Sequence, residues 1–449
     1  MQQPATQVRP QAPAAPGAPA VQVPLPPEPQ SLEQTGLPLG FLADVALKTL
    51  YLRGQMSAVD IATSLGLPLP NVLERVLEFL KNERLVEIRG GSGLSAASYQ
   101  YVIVDRGAEK AQEAIARSQY VGRAPVPLAT YIASVKAQTI ANVQVTEAEL
   151  LRAFSHMVIP RETLQQLGPA FNSGKSIFLF GPPGNGKTTI AEVLVTLLRG
   201  EMIIPYAVEV DQQVIKVFDP VYHRVAVDPA TAERMRFDHR WAVSKRPIVM
   251  TGGELTLETL DLIYDPVSKF YEAPFQLKAN GGIFMVDDFG RQRVSPRDLL
   301  NRWIVPLEKR VDYLTLHTGK KLEIPFDMLI LFSTNLDPAD LVDEAFLRRI
   351  RYKIGIESPT VEQYEEIFKR MCQRKSIEYR AAALSQILAH YRKKNLGLRS
   401  CHPRDLLEQL VDQARYLGRA PALDPDLIEL ACESYFVTLD ASGGAPQPA

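Results

Sequence analysis

The segment SIFLFGPPGNGKTTIAEVLVTLL constrains the fold more than any other part of the chain. Residues 177–180 form an apolar run typical of a buried strand, and a glycine-rich loop that matches G-x-x-x-x-G-K-[ST] follows directly. Glycines let backbone N–H groups curl around an anion, and the helix that begins near Lys187 directs its unpaired N–H groups at the same point. The order of strand, loop and helix therefore predicts a phosphate-binding loop in an α/β domain.

The parts of this loop have separate predicted roles in binding a nucleoside triphosphate. The ammonium of Lys187 can reach the β- and γ-phosphates, and the hydroxyl of Thr188 can bind Mg²⁺. The residues assigned to nucleotide binding are Gly181, Pro182, Pro183, Gly184, Asn185, Gly186, Lys187, Thr188 and Thr189.

Two adjacent carboxylates follow a second apolar run in the segment GGIFMVDDFGRQR. Charged side chains at the end of a buried strand are costly to bury unless they bind something. In P-loop proteins Mg²⁺ is held by the loop hydroxyl and by an Asp at the end of a neighbouring strand, a position that Asp287 fits. Asp288 is then free to orient or deprotonate the attacking water. We therefore expect Thr188 and Asp287 to bind Mg²⁺ and Asp288 to be catalytic.

With both motifs in place, the chain resembles the AAA+ ATPases from about residue 146 to about residue 439. The resemblance implies a P-loop parallel-sheet domain over residues 146–356, a helical lid over residues 357–440, and ATP with Mg²⁺ as cofactors. The family usually has Glu where this chain has Asp288, whose carboxylate is set back by about 1.5 Å, one carbon–carbon bond. A slow, nucleotide-gated scaffold is therefore an alternative to an efficient ATPase.

The resemblance also assigns residues beyond the two motifs. Asn335 ends the apolar segment MLILFSTN and matches sensor 1, a catalytic position beside the γ-phosphate. In DEAFLRRIRYKI, Arg348 and Arg351 match arginine fingers that enter a neighbouring subunit's site, with Arg349 as a close rival. Arg404 in CHPRDLLEQL matches sensor 2, a nucleotide-binding position in the lid. Fingers supplied by a neighbour imply a homo-oligomeric ring, expected to be a hexamer.

Two segments resemble the insertions of the AAA+ branch that includes MoxR-like chaperones and NtrC-like transcription activators. RVDYLTLHTGKKLEIPFD predicts two strands around residues 317–320 and resembles the pre-sensor-1 hairpin. The long gap between Thr188 and Ile283 resembles a helix-2 insertion, with VMTGGEL as a candidate for its substrate-touching tip. The GAFTGA loop of the activators is absent from the sequence, which favours a MoxR-like role in remodelling a protein client.

The N-terminal part of the chain has a different organisation. Residues 1–36 are rich in Pro, Ala and Gln and are expected to form a disordered tail, as is the shorter segment 441–449. Residues 37–118 predict a helix from Ala58, a helix from Asn71 to about Asn82 and two strands around Gly-Gly-Ser-Gly, which together resemble an α+β winged-helix domain. Residues 119–145 are interpreted as a linker.

The charge of the second helix indicates which kind of partner the winged-helix-like domain binds. Its acidic and basic residues cancel, whereas a helix that reads DNA should be basic. Docking of a protein is therefore favoured, and a DNA-linked ATPase or transcription regulator stays as the alternative.

Composition and residue spacing argue against several kinds of partner and site. Lys plus Arg (50) nearly cancels Asp plus Glu (51), so no global charge directs the chain to nucleic acid or to a membrane. The three cysteines lack a Cys-x-x-Cys spacing, and the histidines lack the spacing of metal ligands, so neither a disulfide framework nor a zinc site is expected. No secretory signal or bilayer-spanning apolar run is evident. We expect a cytoplasmic protein without membrane insertion.

Overall fold

A computed structural model of the chain describes residues 23–91, 99–337, 341 and 347–436. The chain divides into two compact units, each of which is built from several segments. The first unit comprises Met1–Ser134, Gly200–Arg246 and Tyr264–Glu272, and the second comprises Val135–Arg199, Pro247–Ile263 and Ala273–Ala449. Most of the predicted N-terminal tail (residues 1–22), the predicted C-terminal tail (residues 441–449) and most of the segment between the two strands around Gly-Gly-Ser-Gly (residues 92–98) lie outside the described residues.

The secondary structure of the described residues is numbered here in chain order. The strands are β1 (Met56–Ser57), β2 (Val86–Gly91), β3 (Tyr99–Ile103), β4 (Val126–Pro127), β5 (Ser176–Phe180), β6 (Glu201–Pro205), β7 (Ala207–Val210), β8 (Gln213–Lys216), β9 (Trp241–Lys245), β10 (Ile248–Thr251), β11 (Ile263–Tyr264), β12 (Tyr271–Glu272), β13 (Ile283–Val286), β14 (Val311–Thr315), β15 (Lys321–Pro325), β16 (Leu329–Thr334) and β17 (Tyr352–Gly355). The α-helices are α1 (Leu39–Arg53), α2 (Ala58–Leu65), α3 (Glu74–Asn82), α4 (Asp105–Arg117), α5 (Leu128–Ala137), α6 (Glu147–Ala153), α7 (Arg161–Asn172), α8 (Lys187–Thr196), α9 (Pro229–Arg234), α10 (Phe275–Lys278), α11 (Pro296–Lys309), α12 (Val361–Arg374), α13 (Ala381–Lys393), α14 (His402–Tyr416) and α15 (Pro425–Tyr435).

A five-stranded parallel sheet forms the centre of the second unit, in the order β10-β13-β16-β5-β17. Its middle strands are apolar because both faces are covered, and β13 is fully buried. The glycine-rich loop leaves the carboxyl end of β5, and the two aspartates leave the carboxyl end of β13. The predicted fold class, an α/β P-loop domain with a parallel sheet followed by helices, is confirmed.

Helices α12 to α15 follow the sheet and pack around their own apolar core. Thr360 caps α12 in a capping box with Gln363, which explains why the helix begins at Val361. Tyr364, Phe368 and Leu427 are among the fully buried side chains of this core. These helices lie where the sequence predicts the lid.

The segment after α11 forms the predicted hairpin. Strands β14 and β15 are antiparallel, with Val311 opposite Pro325 and Thr315 opposite Lys321. Their buried residues alternate with exposed ones, as expected of a hairpin with one covered face.

The prediction that VMTGGEL forms the tip of an insertion is wrong. Its first residues belong to β10, which pairs along its length with β13, and Val249 is fully buried. The run Ile248–Thr251 lies between Pro247 and Gly252, and such a short apolar run between turn residues is typical of a buried strand. Most of the long gap is instead residues 200–246, which precede β10 and belong to the first unit. The only α-helix between β10 and β13, where all residues are described, is the four-residue α10, so the structure does not contain the predicted helix-2 insertion there.

The first unit begins with helices α1 to α4 and a small sheet in the order β1-β3-β2. Helix α2 begins at Ala58 as predicted, because Ser57 and Asp60 form a capping box before it. The next helix begins at Glu74 rather than at the predicted Asn71, since Asn71 has a φ of 62° and follows an extended proline. The winged-helix identity of this region stays a prediction.

A second five-stranded sheet in the order β11-β12-β8-β7-β4 joins distant parts of the sequence. Arg240 links the same parts through buried hydrogen bonds, from its guanidinium to the carboxylate of Asp238 and to the carbonyl oxygen of Thr35 at 2.7 Å. The segment predicted as a linker, residues 119–145, contains β4 and α5, and the boundary between the units falls after Ser134.

Candidate nucleotide-binding site

The loop after β5 has a backbone that only glycine can adopt at its first position. Gly181 has a φ of 136°, and a Cβ there would lie 2.3 Å from the carbonyl oxygen of Ile356. Gly186, with a φ of 83°, precedes α8 and supplies no side-chain cap. The N–H groups of the first turn of α8 therefore have no capping side chain and are available to an anion.

Lys187 connects the loop to the end of β16. Its ammonium donates hydrogen bonds to the carbonyl oxygens of Gly181 and Pro182 at 2.9 Å each, and to Oδ1 of Asn335 at 2.5 Å. Burial lowers the pKa of Lys187, whereas the nearby carboxylates of Asp288 and Asp287 act to raise it. A cation held in this way is positioned for anionic ligands that enter the loop.

Thr188 and Asp287 meet at the start of α8. The Thr188 hydroxyl lies 3.2 and 3.1 Å from the two carboxylate oxygens of Asp287, and the Asp287 N–H donates to the carbonyl oxygen of Thr251 at 2.9 Å. One hydroxyl and one carboxylate fit Mg²⁺, which takes oxygen ligands and uses few protein ligands when phosphates supply others. Within the described ranges no group of three or more His, Cys, Asp or Glu residues could hold a metal ion.

Asp288 and Asn335 are brought together beside Lys187. The Asn335 amide donates to Oδ1 of Asp288 at 3.0 Å while its own Oδ1 accepts from Lys187. Asp288 has a left-handed backbone with a φ of 48° and an exposed side chain. The aspartate that the sequence predicts to be catalytic and the predicted sensor asparagine therefore form one hydrogen-bonded chain with the loop lysine.

A cavity of about 700 Å³ adjoins these residues. Its lining comes from the loop and the start of α8, from the segment before α7, and from the lid, and it includes Lys187, Thr188, Asp288, Asn335 and Arg404. The volume lies in the range of ordinary small-molecule sites.

The lid contacts the loop through a short segment before α14. The N–H of Cys401 donates to the carbonyl oxygen of Gly184 at 2.8 Å, and the Ser400 N–H donates to Oδ1 of Asn185 at 3.2 Å. Arg399 donates from its guanidinium to the carbonyl oxygen of Pro183 at 2.8 Å. Sequence reasoning missed Arg399, although LRS directly precedes the CHPRD motif that contains the predicted lid arginine.

The predicted lid arginine, Arg404, lines the cavity and pairs with Asp405 at 2.8 Å. Its neighbour His402 is buried, and Nδ1 of this ring lies 2.5 Å from the Tyr391 hydroxyl. Burial lowers the pKa of His402 to about 4, so the ring is neutral at pH 7 and serves the packing of the lid.

The segment before α7 is a second part of the site that the sequence did not predict. Arg370 of α12 donates to the carbonyl oxygens of Ser155 and Met157 at 2.8 and 3.1 Å, which ties the lid to this segment. Met157, Ile159 and Ile367 give that side of the cavity an apolar lining suited to a flat ring. The only sequence signal is the short apolar run MVI before Pro160.

The three candidate finger arginines do not line this cavity. Arg349 forms an ion pair with Glu308 at 2.6 Å. The Arg351 guanidinium lies 5.9 Å from the centre of the Tyr352 ring and faces a different surface cavity beside α6 and α7. Arg348 and Arg351 are exposed.

Arg399 joins the lid to the loop, so its substitution tests whether this contact contributes to nucleotide binding. We expect Arg399→Ala to weaken ATP binding by about tenfold, the loss of one charge-assisted hydrogen bond that joins lid and loop. Titration of each variant with a fluorescent ATP analogue measures this effect. Arg415→Ala, which removes an exposed lid arginine paired with Asp412, is the control, and an affinity for Arg399→Ala equal to that of the control would contradict the expectation.

Residues 360–434 match a family model described as a domain of unknown function (DUF8689). No curated protein matches the sequence. Among solved structures, the RuvB Holliday junction branch migration motor of Thermotoga maritima is 15% identical with a TM-score of 0.33, over 66% of this chain and 72% of that chain. NtrX from Brucella abortus in complex with ADP is 16% identical with a TM-score of 0.37, over 62% of this chain and 56% of that chain.

No helix among the described residues is long and apolar enough to cross a membrane. The phosphate-binding loop follows the strand between β16 and β17, the paired aspartates follow β13, and the helices after the sheet close over the loop. The second unit therefore has the α/β fold of a P-loop domain, with a parallel sheet followed by helices.

Proposed function

We propose that the chain is an ATPase that binds and hydrolyses MgATP in the cavity between the loop after β5 and the lid. One observation carries this function: the hydrogen-bonded chain from Lys187 through Asn335 to Asp288, beside the contact between Thr188 and Asp287. Its members come from three different strand ends, and each has the chemistry that phosphoryl transfer to water requires.

Each residue of the site has a separate role in ATP binding or hydrolysis. The loop N–H groups and Lys187 bind and orient the β- and γ-phosphates, while Thr188 and Asp287 would hold Mg²⁺. When bound, Mg²⁺ supplies charge neutralisation on the phosphate oxygens. Asp288 accepts a proton from the attacking water, and the Asn335 amide keeps that carboxylate oriented.

Substitution of Asp288, together with a single-turnover hydrolysis assay, distinguishes an ATPase from a slow nucleotide-gated scaffold. We expect Asp288→Asn to retain ATP-induced thermal stabilisation and to lower single-turnover hydrolysis by about 10²- to 10⁴-fold, the usual contribution of a positioned general base. Asp412→Asn, in an exposed ion pair of the lid outside the cavity lining, is the matched control. Full turnover by Asp288→Asn would assign the base elsewhere, and negligible turnover by the unaltered protein would support the scaffold.

The site also supports a role in an oligomer. Arg348 and Arg351 are exposed and do not line the cavity of their own chain, as expected of residues that complete a neighbouring subunit's site. We place the protein in a homo-oligomeric ring, expected to be a hexamer, in the cytoplasm. Hydrolysis would move the lid, and this motion would remodel a bound protein client in the manner of a MoxR-like chaperone. The hairpin β14–β15 supports that branch, whereas the segment between β10 and β13 does not.

A second candidate is an ATPase that works on nucleic acid. It is favoured by a cavity in the first unit with an aromatic and cationic lining. Binding measurements with oligonucleotides decide between the two clients.

A further inference from the structure

The first unit contains a surface cavity of about 640 Å³ that the proposed ATPase does not use. Its lining joins the end of α1, the segment before β4, and strand β8 with the loop after it. Four of its lining residues are aromatic: Tyr120, Tyr206, Phe218 and Phe270. Aromatic rings at a cavity surface offer flat faces on which a ligand ring can stack.

The aromatic residues form two pairs. The rings of Tyr206 and Phe218 have centroids 5.0 Å apart, and those of Tyr120 and Phe270 meet edge to face at 5.8 Å. Tyr206 and Phe218 are only half-buried, and the Phe218 N–H donates to the carbonyl oxygen of Tyr206 at 3.2 Å. Tyr120 is buried in a small apolar cluster and fixes the second pair. Phe218 also packs against the buried His223 ring at 5.4 Å, so the partly exposed rings of the lining are those of Tyr206, Phe218 and Phe270.

The charged residues that line the cavity are cationic. Arg53, Arg123 and Lys216 line the cavity, and no Asp or Glu belongs to its described lining. The Arg123 guanidinium lies 5.6 Å from the Tyr206 ring centre, and Arg53 donates to the Ser64 hydroxyl at 3.0 Å. The Lys216 ammonium lies 3.6 Å from the carboxylate of Glu272. The lining is therefore suited to a ligand that carries negative charge.

Partly exposed rings beside cations match aromatic bases joined by phosphates. An acidic peptide would satisfy the cations but would leave the partly exposed rings without flat partners. A single nucleotide would occupy only one ring. We propose that this cavity binds single-stranded nucleic acid, with Tyr206 and Phe218 as the stacking pair and Arg123 as the principal phosphate contact. The inference goes beyond the ATPase function and does not depend on it.

Fluorescence anisotropy with the full-length protein and labelled homopolymers, oligo(dT) and oligo(U) of about 15 nucleotides, tests this inference at a length that covers common site sizes. We expect saturable binding of at least one polymer. Binding should weaken with salt, with a slope of log K against log salt of about −2 for three neutralised phosphates on a single strand.

Substitutions of lining residues test whether the polymer binds in this cavity. Tyr206→Leu keeps apolar bulk but removes the ring, and it should weaken binding by about 5- to 150-fold, the effect of losing one stacked base. Tyr206→Phe should bind as the unaltered protein does. Arg123→Gln should weaken binding and make the salt slope shallower by about 0.7. Arg75→Gln, in an exposed ion pair with Glu33 outside the cavity, should leave affinity unchanged.

Several results would overturn the inference. One is no binding of either polymer, and another is unchanged affinity in both Tyr206→Leu and Arg123→Gln when thermal melts show that they fold. Displacement of the polymer by dTMP at equal concentration would assign a mononucleotide site, and displacement by poly-glutamate alone would assign an acidic protein ligand. Loss of polymer binding in Lys187→Ala would place the polymer at the phosphate loop. None of these results alters the hydrolysis assay that tests the ATPase.

Discussion

Lys187→Ala is expected to abolish the thermal stabilisation that MgATP gives to the protein. At a ligand concentration one hundred times the Kd, a bound nucleotide adds about 2.7 kcal/mol to the free energy of unfolding, and a protein that cannot bind gains none of it. Lys187 is the buried cation that the loop carbonyls and Asn335 hold beside the cavity. Differential scanning fluorimetry with and without MgATP measures the difference.

The lysine also contributes to the fold without ligand, because its ammonium satisfies two carbonyl oxygens of the loop. The ligand-free melting temperature of Lys187→Ala is therefore measured first, and only the shift upon adding MgATP is compared. Lys321→Ala, which removes an exposed ammonium on β15, provides the control. A MgATP shift in Lys187→Ala equal to that of the control would refute the assignment of the phosphate loop.

Arg348→Ala is expected to lower ATP hydrolysis by about 10³-fold or more while ATP binding stays normal, since a finger stabilises charge that develops only in the transition state. In the structure Arg348 is exposed and lies outside the cavity of its own chain, so its effect should require a neighbouring subunit. Steady-state hydrolysis and the MgATP thermal shift, measured on the same sample, separate the two effects.

Mixing variants tests whether the arginine acts across subunits. An Arg348→Ala subunit retains a complete phosphate loop, and a Lys187→Ala subunit retains its arginine, so mixed oligomers should recover part of the activity that neither variant shows alone. Arg415→Ala, which breaks the exposed ion pair with Asp412, is the control and should hydrolyse ATP at nearly the normal rate. Absence of recovery in the mixture would show that Arg348 does not complete a neighbour's site.

Local signals in the sequence predicted the elements that build the nucleotide site. The strand before Gly181 and the helix from Lys187 are as expected, because an apolar run, a glycine-rich loop and a helix in direct succession allow few other structures. The hairpin β14–β15 could also be predicted, since it is formed by neighbours in sequence around a turn at Gly319.

The errors arise where distant contacts or the local backbone override the predicted pattern. Residues 248–251 are predicted at the tip of an insertion, whereas they pair with β13 as a strand of the parallel sheet. The helix predicted from Asn71 has the right apolar spacing, but an extended Pro70 and a left-handed Asn71 delay its start. Arg399 contacts the loop across more than 200 residues of chain, and nothing local distinguishes it from an exposed lid arginine.

The division of the first unit into three segments has a consequence for how the chain can be made. Strand β8 obtains its second neighbour only when Tyr271–Glu272 leaves the ribosome, after β5, the phosphate loop and β10 have already been synthesised. Until then one edge of β8 offers unpaired backbone groups, a known hazard for aggregation during synthesis. A protein shortened before residue 271 would retain that hazard permanently, so we expect N-terminal fragments to need a solubilising partner and only longer chains to be recovered as folded protein.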